Sequence, residues 1–98
     1  MIKRIVQMSF APEHIDTFQQ FFEERKAIIK GFDGCQFLEL WQDVQQPHIF
    51  FTHSIWTSEA HLNAYRCSDF FKDTWTQTKA MFAEKAQAWS VAIVNKAD

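Results

Sequence analysis

The chain has 98 residues, a formal net charge of −2 and ten basic residues scattered between Lys3 and Lys96. This length suits one domain, residues 1–98, near the lower end of independent stability, and the scattered charge argues against a nucleic-acid face. No apolar run approaches the roughly 20 residues of a membrane span. Met1 leads straight into a strand pattern and there are only two cysteines, Cys35 and Cys67, which reads as a cytoplasmic protein with reduced thiols.

Ile2 to Phe10 alternates, with Ile2, Val6, Met8 and Phe10 on one face and Lys3, Ile5, Gln7 and Ser9 on the other. This predicts a strand with one strongly apolar face and one mixed face. Ala11-Pro12-Glu13 opens a helix, because proline suits a first turn and glutamate suits the positive end of the helix dipole. Ile15, Phe18, Phe21, Phe22, Ile28 and Ile29 form its apolar stripe, and Gly31 is expected to end it as a left-handed cap.

After an Asp33-Gly34 turn, Cys35 to Gln42 reads as a second strand, with Cys35, Phe37 and Trp41 opposed to Leu38 and Leu40. Asp43 to Pro47 is a connector of hairpin length. His48 to Trp56 is the third strand, with Ile49, Phe51 and Ile55 opposed to Phe50 and Trp56. Strands apolar on both faces are covered on both faces.

Helical spacing resumes at Ser58, and a second capping signal at Ser68-Asp69 predicts a break. The stripe Phe71, Trp75, Thr78 and Phe82 carries the helix to about Glu84, and Ala88 to Val94 alternates as a fourth strand. The order β-α-β-β-α-β is that of an α+β, ferredoxin-like fold, an antiparallel sheet with both helices on one face. The other face needs a cover, most simply the same face of a second copy, giving a homodimer. Eleven Phe, four Trp and one Tyr exceed what one small core requires, so some rings should line that interface or a ligand cavity.

Gly34-Cys35, Leu38-Glu39-Leu40, Asp43, Pro47, Trp56, Ser58-Glu59-Ala60, Tyr65, Ser68 and Phe71 together resemble the antibiotic biosynthesis monooxygenase (ABM) family of dimeric α+β barrels. The resemblance is concentrated between Gly31 and Phe71, and the element order extends it to the whole chain. It implies an oxidoreductase, a cofactor-independent monooxygenase whose apolar pocket takes a small planar or aromatic molecule. The alternative is a ligand-binding or stress-associated barrel without chemistry. The haem-degrading branch is similar around Gly31-Phe32-Asp33-Gly34 and from Trp56 to Lys72. Ungapped matching from Trp56 puts that branch's helix tryptophan at Tyr65 and its haem-ligating histidine at Trp75; across a gap, its strand asparagine falls near Gln7. Tryptophan cannot ligate iron and no histidine follows His61, so the haem reading lacks its axial ligand.

The candidate catalytic residues are His53, Gln7 and Tyr65, and the candidate substrate-binding residues are Tyr65, Trp75, Phe71 and Gln7. His53, mid-strand among apolar neighbours, is either a buried or interface histidine or a proton acceptor. Gln7 is either an interface hydrogen bond or a donor to a developing oxyanion. Tyr65 and Trp75 suit packing or a pocket wall, with the phenol as donor, and Phe71 suits core or wall. His14, His48, His53 and His61 show no metal-ligand spacing. No phosphate loop or dinucleotide fingerprint is present, so no cofactor is expected.

Overall fold

The computed structural model describes residues 1–98. Its elements are β1 (Ile2–Phe10), α1 (Ile15–Lys30), β2 (Cys35–Gln42), β3 (Ile49–Trp56), α2 (Glu59–Arg66), α3 (Asp69–Lys79) and β4 (Phe82–Val91). The strands form one antiparallel sheet in the order β2-β3-β1-β4, with the helices packed on one face. The α+β, ferredoxin-like architecture is therefore present, its second helical stretch divided in two as the Ser68-Asp69 signal predicts. Ser58 caps α2 by accepting from the His61 amide, and Ser68 caps α3 by accepting from the Phe71 amide.

Three local expectations need correction. Pro12–His14 is a 3₁₀ turn, so α1 begins only at Ile15. Gly31 closes α1 in right-handed geometry (φ −78°), with its amide bonded to carbonyls of the last turn; the positive φ falls instead at Gly34 (φ +87°). The fourth strand starts at Phe82 rather than Ala88 and ends at Val91 rather than Val94. Phe82 continues the helical stripe of Phe71 and Trp75, and Ala83-Glu84-Lys85-Ala86 is good helix composition. Pairing with β1, from Phe10↔Phe82 to Lys3↔Val91, overrides that local preference, and irregularities at Ser9 absorb the mismatch.

The inner face of the sheet builds two separate apolar clusters. At one end Met8, Phe10 and Phe50 meet Phe18 of α1 and Met81, with the Phe10 and Phe18 rings stacked at 4.1 Å. Fully burying each such side chain contributes about 1.5–3 kcal/mol. At the other end Cys35, Trp56 and Leu62 pack together. Ile28, placed on the α1 stripe by periodicity, is instead exposed beside buried Ile29.

Gly34 joins β2 to the start of α2. Its carbonyl accepts from the Thr57 amide at 2.8 Å, and its Cα lies against the His61 ring so closely that a Cβ would stand 2.4 Å from His61 Cβ and Cγ. His61 Nδ1 is 2.7 Å from Ser58 Oγ, and Nε2 is 3.5 Å from Asp33 Oδ2. This brings together a serine, a histidine and an aspartate. Ser58 Oγ is, however, committed to capping α2, so the group serves as a clamp at the strand-to-helix corner.

Candidate functional site

Between the two clusters the inner face is lined by side chains too small to reach the helices. On β3, Thr52 and Ser54 lie between the large rings of Phe50 and Trp56. On β1 and β4, Val6 and Ala88 pair side by side in the ladder. The result is a cavity of about 370 Å³ between sheet and helices, at the small end of the roughly 300–1,000 Å³ typical of small-molecule sites.

Its aromatic wall is continuous. Trp56 stacks on Tyr65 (5.0 Å, 24°), Tyr65 meets the edge of Phe71 (5.1 Å, 74°), and Phe71 lies parallel to Trp75 (6.1 Å, 11°). The Ser68 break redirects the helix so that Tyr65 on α2 and Phe71 and Trp75 on α3 face one space. Burial pushes the Tyr65 hydroxyl well above the usual phenol range, and at high pH ionisation of the nearby Cys35 adds to it. It therefore stays protonated at neutral pH. That hydroxyl makes no hydrogen bond within the protein and is free to donate to a molecule in the cavity. Burial likewise raises the Cys35 thiol, outweighing the Phe37 carbonyl contact and Lys30, and leaves it a packing residue.

The polar groups of the lining are unbalanced in charge. Arg4, Arg25 and Arg66 line the cavity and no aspartate or glutamate does. Arg25 on α1 is neutralised: Nη1 donates to Asp73 Oδ2 at 3.0 Å and to Thr74 Oγ1 at 2.7 Å, and the guanidinium lies 4.4 Å from the centre of the Phe21 ring. Arg4 donates only to Ser90 Oγ, at 3.0 Å, and neither Arg4 nor Arg66 has a carboxylate partner. Neither stands out in the sequence, although Arg4 interrupts the apolar face formed by Ile2, Val6 and Met8.

The candidates singled out from sequence divide between the two faces. Tyr65, Phe71 and Trp75 line the cavity; His53 and Gln7 do not. Strand alternation puts Gln7, which pairs with Phe51, and His53, which pairs with Ile5 and Glu39, on the outer face. There the His53 ring lies 5.3 Å from Phe37 and 4.9 Å from Trp41, and its buried Nδ1 has no partner. Burial, then the charge of Lys3, holds His53 below the ordinary histidine value despite the opposing pull of Glu39. The structure thus gives no geometric support to His53 as a base for a molecule in the cavity. No histidine lines the cavity and Trp75 cannot ligate iron, so these residues do not fit a haem that needs an axial imidazole. No cluster of three or more His, Cys, Asp or Glu side chains is arranged to hold a metal ion. No helix is long and apolar enough to cross a membrane.

A family model described as antibiotic biosynthesis monooxygenase matches residues 1–77. A solved structure of an antibiotic biosynthesis monooxygenase superposes with a TM-score of 0.89 at 21% identity, covering 97% of this chain and 100% of that one. A conserved protein from Methanosarcina mazei gives 0.87 at 18% identity, covering 92% and 89%. A protein from Mycobacterium tuberculosis gives 0.87 at 13% identity, covering 99% and 98%. At these identities the superpositions speak to the fold. No curated protein sequence matches the chain significantly.

Proposed function

The chain belongs to the antibiotic biosynthesis monooxygenase family, and from that premise we propose that the cavity between sheet and helices binds a small planar, largely apolar molecule and supports its oxygenation. The observation that carries this reading is the unbroken wall Trp56–Tyr65–Phe71–Trp75 around a space of about 370 Å³. Flat rings stack on such a wall, and the unpartnered Tyr65 hydroxyl supplies one directional donor. In the reaction an electron-rich substrate gives a proton to water, the lining holding no carboxylate or imidazole, and reduces O2 itself. At a ring methylene, carbon forms a carbonyl with one oxygen atom, and the other leaves as water with the two hydrogens. The protein's part is to hold the ring, shield it from water and orient its oxygen through Tyr65. A second reading, binding without chemistry, is favoured by the absence of any carboxylate or imidazole from the lining.

Fluorescence titration with a naphthoquinone, read through Trp56 and Trp75, tests binding. Oxygen uptake with anthrone tests turnover. Saturable binding should weaken roughly three- to tenfold in Trp75→Ala, the scale of a lost aromatic pair worth about 0.5–1.5 kcal/mol. Oxygen uptake above the uncatalysed rate selects the oxygenase, and binding without uptake selects the binding protein. A titration that never saturates sinks both.

The proposal includes a homodimer formed through the outer face of the sheet. Trp41, Trp89 and Val91 there are 42%, 43% and 46% exposed, beside Ile5, Phe37, Phe51 and Ile55. In this arrangement His53 and Gln7 are interface residues, and a group from the second copy can meet the orphaned His53 Nδ1.

A further inference from the structure

We infer that the ligand of this cavity is an aromatic acid, its ring on the Tyr65–Trp75 wall and its carboxylate between Arg4 and Arg66. The inference rests on the reading of the cavity as a ligand site and adds the ligand's charge. Three arginines line a space that is otherwise largely apolar, with no acidic side chain among its walls. Arg25 shows how this fold treats an arginine it uses for structure. Asp73 takes its charge, Thr74 takes a further hydrogen bond, and Phe21 lies under its plane.

Arg4 and Arg66 have none of this. Arg4 is half-buried at the centre of the sheet and spends one of its five N–H donors on a neutral hydroxyl, Ser90 Oγ. Arg66, the last residue of α2, stands exposed at the rim and makes no ion pair. Both line the same cavity, and burial, and then the charge of Arg66, lowers the pKa of Arg4. Leaving a partly desolvated guanidinium without a counter-charge is costly. A carboxylate entering the cavity would relieve that cost, and its two oxygens match the planar donor fork of a guanidinium.

Two solvent-facing positions could hold such a pair with little consequence. Here Arg4 shares its strand face with Val6 and Met8, both of which line the cavity. An anion held there keeps its aromatic body within reach of the Tyr65 hydroxyl and the Phe71 and Trp75 rings. A larger, doubly charged phosphate is less suited to the apolar remainder of so small a space.

The test compares 2-naphthoate with its methyl ester, two probes of one shape that differ in charge, by fluorescence titration of the wild type, Arg4→Gln, Arg66→Gln and Arg4→Lys. Circular dichroism confirms that each variant is folded. In the wild type the acid should bind about tenfold or more tightly than the ester, with the preference shrinking as salt is raised. Each glutamine variant should bring the acid-to-ester ratio towards one. Arg4→Lys, which keeps the charge but loses the fork, should retain part of the preference. Equal affinity of acid and ester in the wild type would overturn the inference while leaving the cavity as an aromatic site. If neither probe binds the folded wild type, the cavity reading fails, and this inference with it.

Discussion

Replacing Gly34 by alanine tests whether the strand-to-helix corner is held by backbone conformation and contact together. At φ +87° an alanine leaves the conformations that L-residues prefer, which costs about 1–3 kcal/mol. Its new methyl would also stand 2.4 Å from His61 Cβ and Cγ and 2.5 Å from Cδ2, so the imidazole must swing away and α2 must shift to carry Cβ clear. That departure breaks the 2.7 Å contact with Ser58 Oγ, a hydrogen bond worth about 0.5–1.5 kcal/mol. Together the loss is about 2–4 kcal/mol, which for a domain of this size lowers Tm by roughly 10–20 °C. Denaturant melts and calorimetry on Gly34→Ala, His61→Gly, which removes Cβ with the ring, and the double variant give the two contributions separately. Removing the imbalance of space should make the double variant more stable than the sum of the single losses implies, by about 1 kcal/mol or more. A Gly34→Ala protein within ~0.5 kcal/mol of wild type would refute the argument, and strict additivity would refute the steric half of it.

Phe51→Asp puts a carboxylate in the middle of the outer face and should turn the proposed dimer into a monomer. Light scattering should report twice the chain mass of 11.6 kDa for wild type and the single mass for the variant; a monomeric wild type at micromolar concentration removes the dimer. The lowered pKa of His53 predicts a pH dependence. A histidine depressed on folding binds its proton more readily in the unfolded chain. Stability is therefore full above the ordinary value of about 6.5 and declines as pH falls from there through the lower folded-state value. Urea melts between pH 7.5 and 5 should show that decline, and His53→Leu should remove it; the same slope in both proteins would show that His53 is not its source.

The element order, the break at Ser68 and the two-faced strands were legible because each rests on a local signal: period, cap or turn residue. The start of the fourth strand was not, because Phe82 to Gln87 is locally helical and becomes strand only by pairing with β1. The cavity was half legible. Its wall could be read from Tyr65, Phe71 and Trp75, whose spacing survives the helix break. Its floor could have been read from Phe50-x-Thr52-x-Ser54-x-Trp56, two small polar residues between two large rings on one face of a strand. Residue type and strand parity point different ways here. His53 and Gln7 look chemical, but they are odd-numbered in strands whose even-numbered residues face the helices. Arg4 looks like an ordinary surface charge, yet its parity puts it beside Val6 and Met8. Parity therefore exchanges one candidate set for another. The histidine goes to the outer face, with an unpaired nitrogen beside apolar side chains, and an arginine with no counter-charge comes into the cavity. The polar groups the cavity offers a ligand are then chiefly its cations and its phenol.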